Sequence, residues 1–349
     1  MKKISRRCFM KAAGMAAAAV SLSACGNAAS SSTSVSSSAS AGAAPAASSQ
    51  AADAWKPDHD FTIRVPKGAG DTMDTITRLT TKGLSEKYGV NVLINNLPGA
   101  NGAVAAADLM DYDPSPCEMM SAGIVLFTLA PLFSADIKMD LADWKFVCGL
   151  TSEDFVMVAN VKLGITDLEG VVDYAKNNRL MVGTQASGGA IHMLATALLG
   201  ENGVAWDAVT SDTSGKDVLA CSNGTVQIAI ATTSACSQYI AEGSVVPIVT
   251  FGTDTFKGYD GFEVPTASQK GFDIVWQSLN YIMTRSEVED AAIDAMYDTI
   301  SAYCEGSEFQ DACSTAKIVP YICDGDTCYE MVSSAAEMCA KMYDKYYQK

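Results

Sequence analysis

Three glycine-rich or polar loops carry the residues of this 349-residue chain that could hold a small ligand. Each loop follows an apolar, strand-like run and precedes a helical one. Backbone N–H groups at a helix N-terminus attract anions, and glycine lets a ligand approach the backbone closely. The loops occupy residues 65–79, 96–103 and 183–193.

Several residues in these loops allow two interpretations. Asp74 is either a helix cap, with Arg78 as its partner one turn later, or a ligand contact. The glycines either permit tight turns or expose backbone N–H groups to a carboxylate. Thr184 is a candidate hydroxyl donor, and His192 is either a structural histidine at the start of its helix or a ligand group.

Motifs for catalysis and metal binding are scarce in the chain. The nucleophile-elbow pattern G-x-S-x-G does not occur, no CxxC pair exists, and the histidines are His59 and His192. We therefore expect neither an enzyme nor a metal or cofactor site. Nucleic acid is also excluded as a partner because the net charge is −16.

The elements that position the loops follow an alternating pattern typical of an α/β fold. Short apolar runs predict strands at 61–66, 90–95, 118–122, 155–159, 180–184, 226–231 and 245–251. Helical spacing and capping signals predict helices at 74–88, 166–177, 191–199 and 287–303. This alternation predicts mainly parallel sheets covered on both faces, with ligands bound at the carboxyl ends of the strands.

The first 58 residues indicate export and anchoring. A basic start with Arg6 and Arg7 followed by Phe9 fits a twin-arginine signal, and Leu22–Ser23–Ala24–Cys25 resembles a lipobox. We expect a signal peptide at 1–24, lipidation of Cys25 on the outer face of the cytoplasmic membrane, and a Ser/Ala-rich tether at 25–58. Removal of the signal peptide would take away five basic residues, so the mature protein would have 19 Lys and Arg, 40 acidic residues and a net charge of −21.

The cysteines that follow the tether in the sequence are candidates for disulfide bonds. Nine cysteines remain after Cys8 and Cys25 are set aside. Cys323 and Cys328 flank a predicted turn, and a bond between Cys304 and Cys313 would close a second small loop. Both pairs are therefore disulfide candidates outside the cytoplasm.

The order of the three loops resembles one known family. The chain is similar to the extracytoplasmic receptors of tripartite tricarboxylate transporters, also called the Bordetella uptake proteins, over residues 60–282. Its first-loop pattern is matched by Val65, Pro66, Gly70, Asp74, Thr75 and Arg78. Its later patterns are matched by Asn96, Pro98, Gly99, Ala100, Gly102, His192, Met193, Val264–Pro265–Thr266 and Gly271–Phe272.

This resemblance implies a type II periplasmic-binding-protein fold with two α/β lobes joined by crossing hinge strands. Lobe one would comprise residues 59–158 and 274–349, and lobe two residues 159–273. The lobes would close on a small carboxylate. The implied ligand-binding residues are Lys67, Gly68, Ala69, Gly70, Thr72, Asp74, Ala100, Asn101, Gly102, Ser121, Thr184, Ser187, Gly188, Gly189 and His192.

The first loop departs from the family pattern at its centre. Lys67 replaces an aromatic residue, Gly68–Ala69 replaces two prolines, and Asp71 and Thr72 replace two glycines. In lobe two, Ala231 stands where the family usually has an Asp. These departures leave the identity of the acid open.

The function implied by the resemblance is capture of a small organic acid and its delivery to the large and small membrane subunits of the transporter. The protein would act as a monomer, held to the membrane by its lipid alone. The alternative is a receptor that binds the same class of ligand and feeds a signalling protein.

Overall fold

The computed structural model describes residues 55–185, 188–211 and 213–348. The signal segment, Cys25 and nearly all of the tether predicted from the sequence lie outside the described residues. The same holds for Ser187, one of the candidate ligand-binding residues. From Trp55 onward the chain forms one compact unit.

Nine strands of the described residues join in one mixed sheet. Numbered in chain order, they are β1 (Phe61–Val65), β2 (Val92–Asn96), β3 (Glu118–Gly123), β4 (Trp144–Asn160), β5 (Met181–Thr184), β6 (Asp207–Thr210), β7 (Ile228–Thr232), β8 (Val245–Thr250) and β9 (Gln277–Arg285). Their order in the sheet is β2-β1-β3-β9-β4-β7-β5-β6, with β8 also paired to β4.

Strand β4 runs through both halves of this sheet. Its first part, Trp144 to Asp154, pairs antiparallel with β9, and its second part, from Phe155 to Asn160, pairs antiparallel with β7 and β8. On one side, β1, β2 and β3 are parallel; on the other, β5, β6 and β7 are parallel. The sheet therefore has two parallel wings, called lobe one and lobe two below, joined by antiparallel crossing strands. The predicted α/β fold with crossing strands is confirmed.

The helices of the described residues cover both faces of the sheet. They are α1 (Thr72–Tyr88), α2 (Ala103–Met110), α3 (Val125–Thr128), α4 (Ala130–Phe133), α5 (Leu168–Ala175), α6 (Ala190–Glu201), α7 (Ser214–Ser222), α8 (Thr233–Ala241), α9 (Asp290–Cys304), α10 (Ser307–Ala316) and α11 (Gly325–Tyr346). No described helix has the length and hydropathy needed to cross a membrane.

The local sequence explains where α1 begins and ends. Asp71 adopts an extended backbone and its side chain accepts a hydrogen bond from the Met73 N–H, so Asp71 is the N-cap. The helix ends at Gly89, whose φ of 69° is left-handed, as the sequence predicts. The proposed capping role of Asp74 is wrong, because Asp71 already occupies the capping position three residues earlier.

Three apolar clusters fill the space between sheet and helices. One packs α1, α9 and α10 against lobe one around Phe61, Ile76 and Phe309. A second packs α7 and α8 against lobe two around Val218 and Val226. The third extends along the opposite face of both lobes and includes residues of α6 and α11.

Helix α11 contacts both lobes. It packs on β4 and α3 of lobe one and on α6 of lobe two. At its end, the Tyr346 hydroxyl donates to Glu201 Oε1 at 2.8 Å, and Lys345 forms an ion pair with the same carboxylate. The helix predicted at 287–303 is present as α9 (Asp290–Cys304), and the last helix of the chain, α11, reaches beyond lobe one.

Candidate functional site

The carboxyl ends of the lobe-one strands meet at one edge of the sheet. Val65 at the end of β1 pairs in register with Asn96 at the end of β2, and β3 runs parallel beside them. The loops that follow these strands therefore lie side by side. In the first loop, six consecutive residues are exposed: Lys67, Gly68, Ala69, Gly70, Asp71 and Thr72.

Asp74 holds the first loop in place. Its buried carboxylate accepts hydrogen bonds from the Gly70 N–H at 2.9 Å, from Asn96 Nδ2 at 2.9 Å and from Arg78 Nε at 3.1 Å. Burial raises the pKa of Asp74, but these hydrogen bonds outweigh it, and the pKa lies below its usual value. The predicted pairing with Arg78 is present, and all three partners stabilise the loop.

Lys67 supplies a positive charge at this edge. Its side chain is exposed, and its Nζ has no hydrogen bond or ion pair with another described residue. Its backbone carbonyl accepts from Asn96 Nδ2 at 2.9 Å, so the network around Asp74 also fixes the Lys67 backbone. The ammonium group is therefore accessible while the backbone that carries it is held.

The second loop has an unusual backbone. Gly99, Ala100, Asn101 and Gly102 have φ values of 150°, 45°, 54° and 103°. A Cβ on Gly99 would lie 2.7 Å from Val104 Cγ2, so only glycine fits there without rearrangement. Ala100 and Asn101 are exposed non-glycine residues in the left-handed region, and such strain clusters at ligand sites.

Ser121 lies beneath α1 and away from the surface. It is fully buried on β3, and its hydroxyl is 2.7 Å from Thr77 Oγ1. Thr77 in turn donates to the Met73 carbonyl at 2.7 Å. In this arrangement Ser121 helps to hold the first turn of α1 against the sheet.

In the described part of the third loop, the ring of Phe133 covers Gly188. Gly188 packs against Phe133 of lobe one, because a Cβ at Gly188 would lie 3.1 Å from that ring. Thr184 is buried at the end of β5 and donates to the Gln185 carbonyl at 2.8 Å. Gly189 stands at the N-cap of α6.

His192 is enclosed by neighbouring side chains. Its Nδ1 lies 2.8 Å from the Tyr347 hydroxyl, and its ring centroid lies 5.2 Å from that of Trp206. Burial lowers the pKa of His192, which favours the neutral imidazole. These contacts fit the structural role that the sequence allowed for His192.

The crossing strands add polar residues that the loop motifs did not indicate. Asn280 of β9 donates to Thr151 Oγ1 of β4 at 2.8 Å, and its Oδ1 would lie 3.2 Å from a Cβ on Gly123. Side chains alternate along a strand, so Glu153 lies on the same face as Thr151. Burial raises the pKa of Tyr259 in lobe two, and the nearby Glu153 carboxylate adds to this rise.

These polar residues lie on the crossing strands that join the two wings. The signal for them in the sequence was Thr151–Ser152–Glu153–Asp154, a polar stretch inside an otherwise apolar run. Asp154, on the opposite face of β4, accepts from Gln277 Nε2 at 2.6 Å, and burial raises its pKa.

A separate cavity of about 720 Å³ lies on the other face of the crossing strands. Helices α6 and α11 and residues 271–277 line it, and Trp276 and Met338 contribute apolar surface. None of the fifteen candidate ligand-binding residues lines this cavity, so its position does not support the predicted site.

Among the described residues, one group has the ligand types for a metal ion. The ligand atoms of Asp58, His59 and Cys117 lie within 4.8 Å of one another. Cys117 immediately precedes β3, so this group sits at the amino end of that strand, opposite the candidate loops. Asp58 and His59 are exposed, and their side chains contact each other, with 2.6 Å between Asp58 Oδ1 and His59 Nδ1.

The chain matches one family profile and is similar in sequence to proteins of other bacteria. Residues 76–333 match the profile of the family described as "Tripartite tricarboxylate transporter family receptor". A UPF0065 protein of Agrobacterium vitis is 30% identical over 152 residues, which cover 43% of this chain and 44% of that protein. A UPF0065 protein of Bordetella bronchiseptica is 22% identical over 246 residues, or 70% of this chain and 72% of that protein.

Solved structures share the fold. A TctC solute binding protein from Polaromonas has a TM-score of 0.75 at 16% identity, covering 83% of this chain and 99% of that one. A Rhodopseudomonas palustris protein solved with adipate has a TM-score of 0.64 at 18% identity, covering 82% and 97%. MatC from the same organism, with bound malate, has a TM-score of 0.61 at 17% identity, covering 82% and 99%.

Proposed function

Because this chain belongs to the tripartite tricarboxylate transporter receptor family, we propose that it is an exported solute-binding protein that captures a small organic acid between its lobes. It then passes the acid to the membrane subunits of such a transporter. Binding and delivery, without chemical conversion of the ligand, constitute its activity. Residues 59–158 and 274–349 act as one lobe and residues 159–273 as the other.

The observation that carries this proposal is the exposed first loop. It presents an accessible Lys67 ammonium group beside a run of small residues, on a backbone fixed by the Asp74 network. Hydrogen bonds between charged partners are short and strong, and backbone N–H groups add directional donors. The chain as a whole repels anions, so recognition depends on these local donors.

The ligand class is a carboxylate. The two R. palustris neighbours were solved with adipate and malate, which supports this class without identifying the acid bound here. The Glu153 carboxylate on the crossing strand β4 disfavours negative charge in the part of a ligand that lies beside this strand. A compact acid whose charge lies toward Lys67 fits this distribution best.

A ligand screen tests the proposal. Purified protein is heated with dicarboxylates, tricarboxylates and acidic amino acids, and with the neutral diamide of each acid as the matched control. Ligand at about 100 times its Kd adds roughly 2.7 kcal/mol to the free energy of unfolding, so the Tm rises. Stabilisation by an acid and none by its diamide supports carboxylate capture; equal shifts with both contradict it.

Delivery to a transporter is tested in cells. Deletion of the gene should abolish uptake of the labelled acid that the screen identifies, and the intact gene should restore it. Normal uptake in the deletion strain, together with loss of a transcriptional response to the acid, would favour the signalling alternative.

Anchoring rests on Cys25 and the tether that follows it. Residue Cys25 ends the lipobox-like segment, and the Ser/Ala-rich run after it has the composition of a flexible spacer. Cys25→Ser should prevent processing and lipidation, so the protein no longer sediments with membranes in its mature form. Unchanged membrane association and normal processing would contradict the lipoprotein assignment.

A further inference from the structure

Two thiols meet at the start of α11. The Sγ atoms of Cys323 and Cys328 lie 3.5 Å apart. Cys323 belongs to the loop before the helix and is partly exposed, whereas Cys328 lies in the first turn of the helix and is buried. All nine cysteines of the described residues are free thiols.

The backbone around the two thiols is held on both sides. The Gly149 N–H donates to the Cys323 carbonyl at 2.9 Å, which attaches the loop to β4. Asp324 caps α11 by accepting from the Thr327 N–H at 2.9 Å. The two sulfur atoms are therefore presented to each other by fixed backbone, and a shift of about 1.5 Å brings them to the disulfide bond length.

The pKa values of the two thiols shift in opposite directions. The hydrogen bond from the Cys328 thiol lowers the pKa of Cys323 against the effect of burial, and the Gly149 N–H lowers it further. The same hydrogen bond and burial raise the pKa of Cys328. Burial raises the pKa of the other seven thiols: Cys117, Cys148, Cys221, Cys236, Cys304, Cys313 and Cys339.

We propose that Cys323 and Cys328 are a redox-active pair, which an external disulfide converts into an intramolecular disulfide at the root of α11. The Cys323 thiolate attacks the donor disulfide, forms a mixed disulfide and releases one donor thiol. The Cys328 thiolate then attacks the Cys323 sulfur and releases the second donor thiol. Two electrons and two protons thus pass to the donor disulfide, which becomes two thiols.

The position of the pair gives this reaction a structural effect. Helix α11 contacts lobe one near its start and α6 of lobe two near its end, through Glu201. A disulfide at its start fixes the helix to the loop that pairs with β4. Oxidation therefore stabilises the attachment of α11, a helix that contacts both lobes.

The first test uses the purified chain and needs no variant. The protein is incubated with oxidised glutathione, alkylated under denaturing conditions without reductant, and mapped by peptide mass spectrometry. We expect a peptide pair that has lost two hydrogens and joins Cys323 to Cys328, with the other seven cysteines alkylated. A stable glutathione adduct on Cys323, with Cys328 alkylated, would overturn the proposal.

The second test compares stability. Oxidation should raise the Tm by about 2–6 °C, because closing even a short loop restricts the unfolded chain. The double variant Cys323→Ser/Cys328→Ser should show no such response, and Cys339→Ala, which removes a buried thiol from the same helix, should respond like the wild type. An equal rise in Tm in the double variant would contradict stabilisation by this disulfide. So would an unchanged Tm in wild-type protein in which the disulfide has been mapped. Neither readout depends on ligand binding, so failure here leaves the proposed transport function untouched.

Discussion

At the residue scale, two acidic residues at the start of α1 have different structural roles. The pattern could not tell Asp71 from Asp74 as the helix cap, because both are acidic residues at a helix start. Only the backbone decides, since Asp71 is extended and accepts from the Met73 N–H. Asp74 is not the cap, and its carboxylate accepts hydrogen bonds from Gly70, Asn96 and Arg78.

The charge of Lys67 should determine part of the affinity. Lys67→Met keeps the aliphatic stem and removes the ammonium group, so a charged hydrogen bond worth about 1.5–3 kcal/mol is lost. We expect binding of the cognate acid, measured by calorimetry, to weaken roughly tenfold or more. Lys87→Met is the matched control, because Lys87 is an exposed lysine at the other end of α1. Affinity within twofold of the wild type for Lys67→Met would exclude direct contact.

The charge of Asp74 should contribute to acid sensitivity. Its pKa is lowered in the folded state from an ordinary value of 3.8, so its charged network stabilises the fold above pH 3.8. This contribution is lost as the pH falls through the folded pKa. In denaturant titrations, the wild type should therefore be more stable than Asp74→Asn at pH 7, and the difference should shrink below about pH 3.8. A difference that stays constant from pH 7 to pH 3 would mean that the carboxylate charge is not the cause.

At the element scale, apolar runs predicted β1, β2, β3, the second half of β4, β5, β7 and β8, whereas β6, β9 and the first half of β4 were missed. β6 is an edge strand with mostly exposed side chains, so it lacks the apolar run that marks a buried strand. The first half of β4 was missed because its polar centre interrupts the pattern where the strand passes between the lobes. Thr151 and Glu153 lie in the missed half of β4, and Asn280 lies in the missed strand β9, so the pattern that missed these strands also missed these polar residues.

The start of α11 should be intolerant of added bulk. A Cβ at Gly325 would lie 2.0 Å from the Phe146 carbonyl oxygen, so Gly325→Ala must displace the helix start or β4. We expect a loss of about 1–3 kcal/mol in the free energy of unfolding, measured in urea. Gly215→Ala provides the control, because Gly215 is also helical but has open space around its Cβ position. There alanine should be neutral or mildly stabilising; equal losses in both variants would refute the steric explanation.

At the scale of the whole molecule, the family resemblance predicted the two wings and the crossing strands, but not how far the lobes are already joined. The apolar cluster that includes α6 and α11 extends along one face of both lobes. Such contacts between segments far apart in the sequence leave no local pattern. The lobes therefore share packing on one face.

Ligand binding should make the molecule more compact. The loops come from both lobes, so an acid that contacts both sets brings them together. We expect small-angle scattering to show a smaller radius of gyration with saturating ligand, after unfolding and refolding have removed any ligand retained in purification. The wild type with the neutral diamide of the same acid serves as the control. An unchanged radius at confirmed saturation would argue against closure.

The place of β9 in the sheet also governs the order in which the protein can assemble. Strand β3 ends at Gly123, yet its neighbour β9 begins only at Gln277, after the whole of lobe two. During synthesis, the edge of β3 that pairs with β9 therefore stays unpaired until more than 150 further residues have left the ribosome. Long-range pairing of this kind slows folding. The nascent chain is thus an expected client of chaperones that shield strand edges, and its first sheet becomes complete only in the last third of translation.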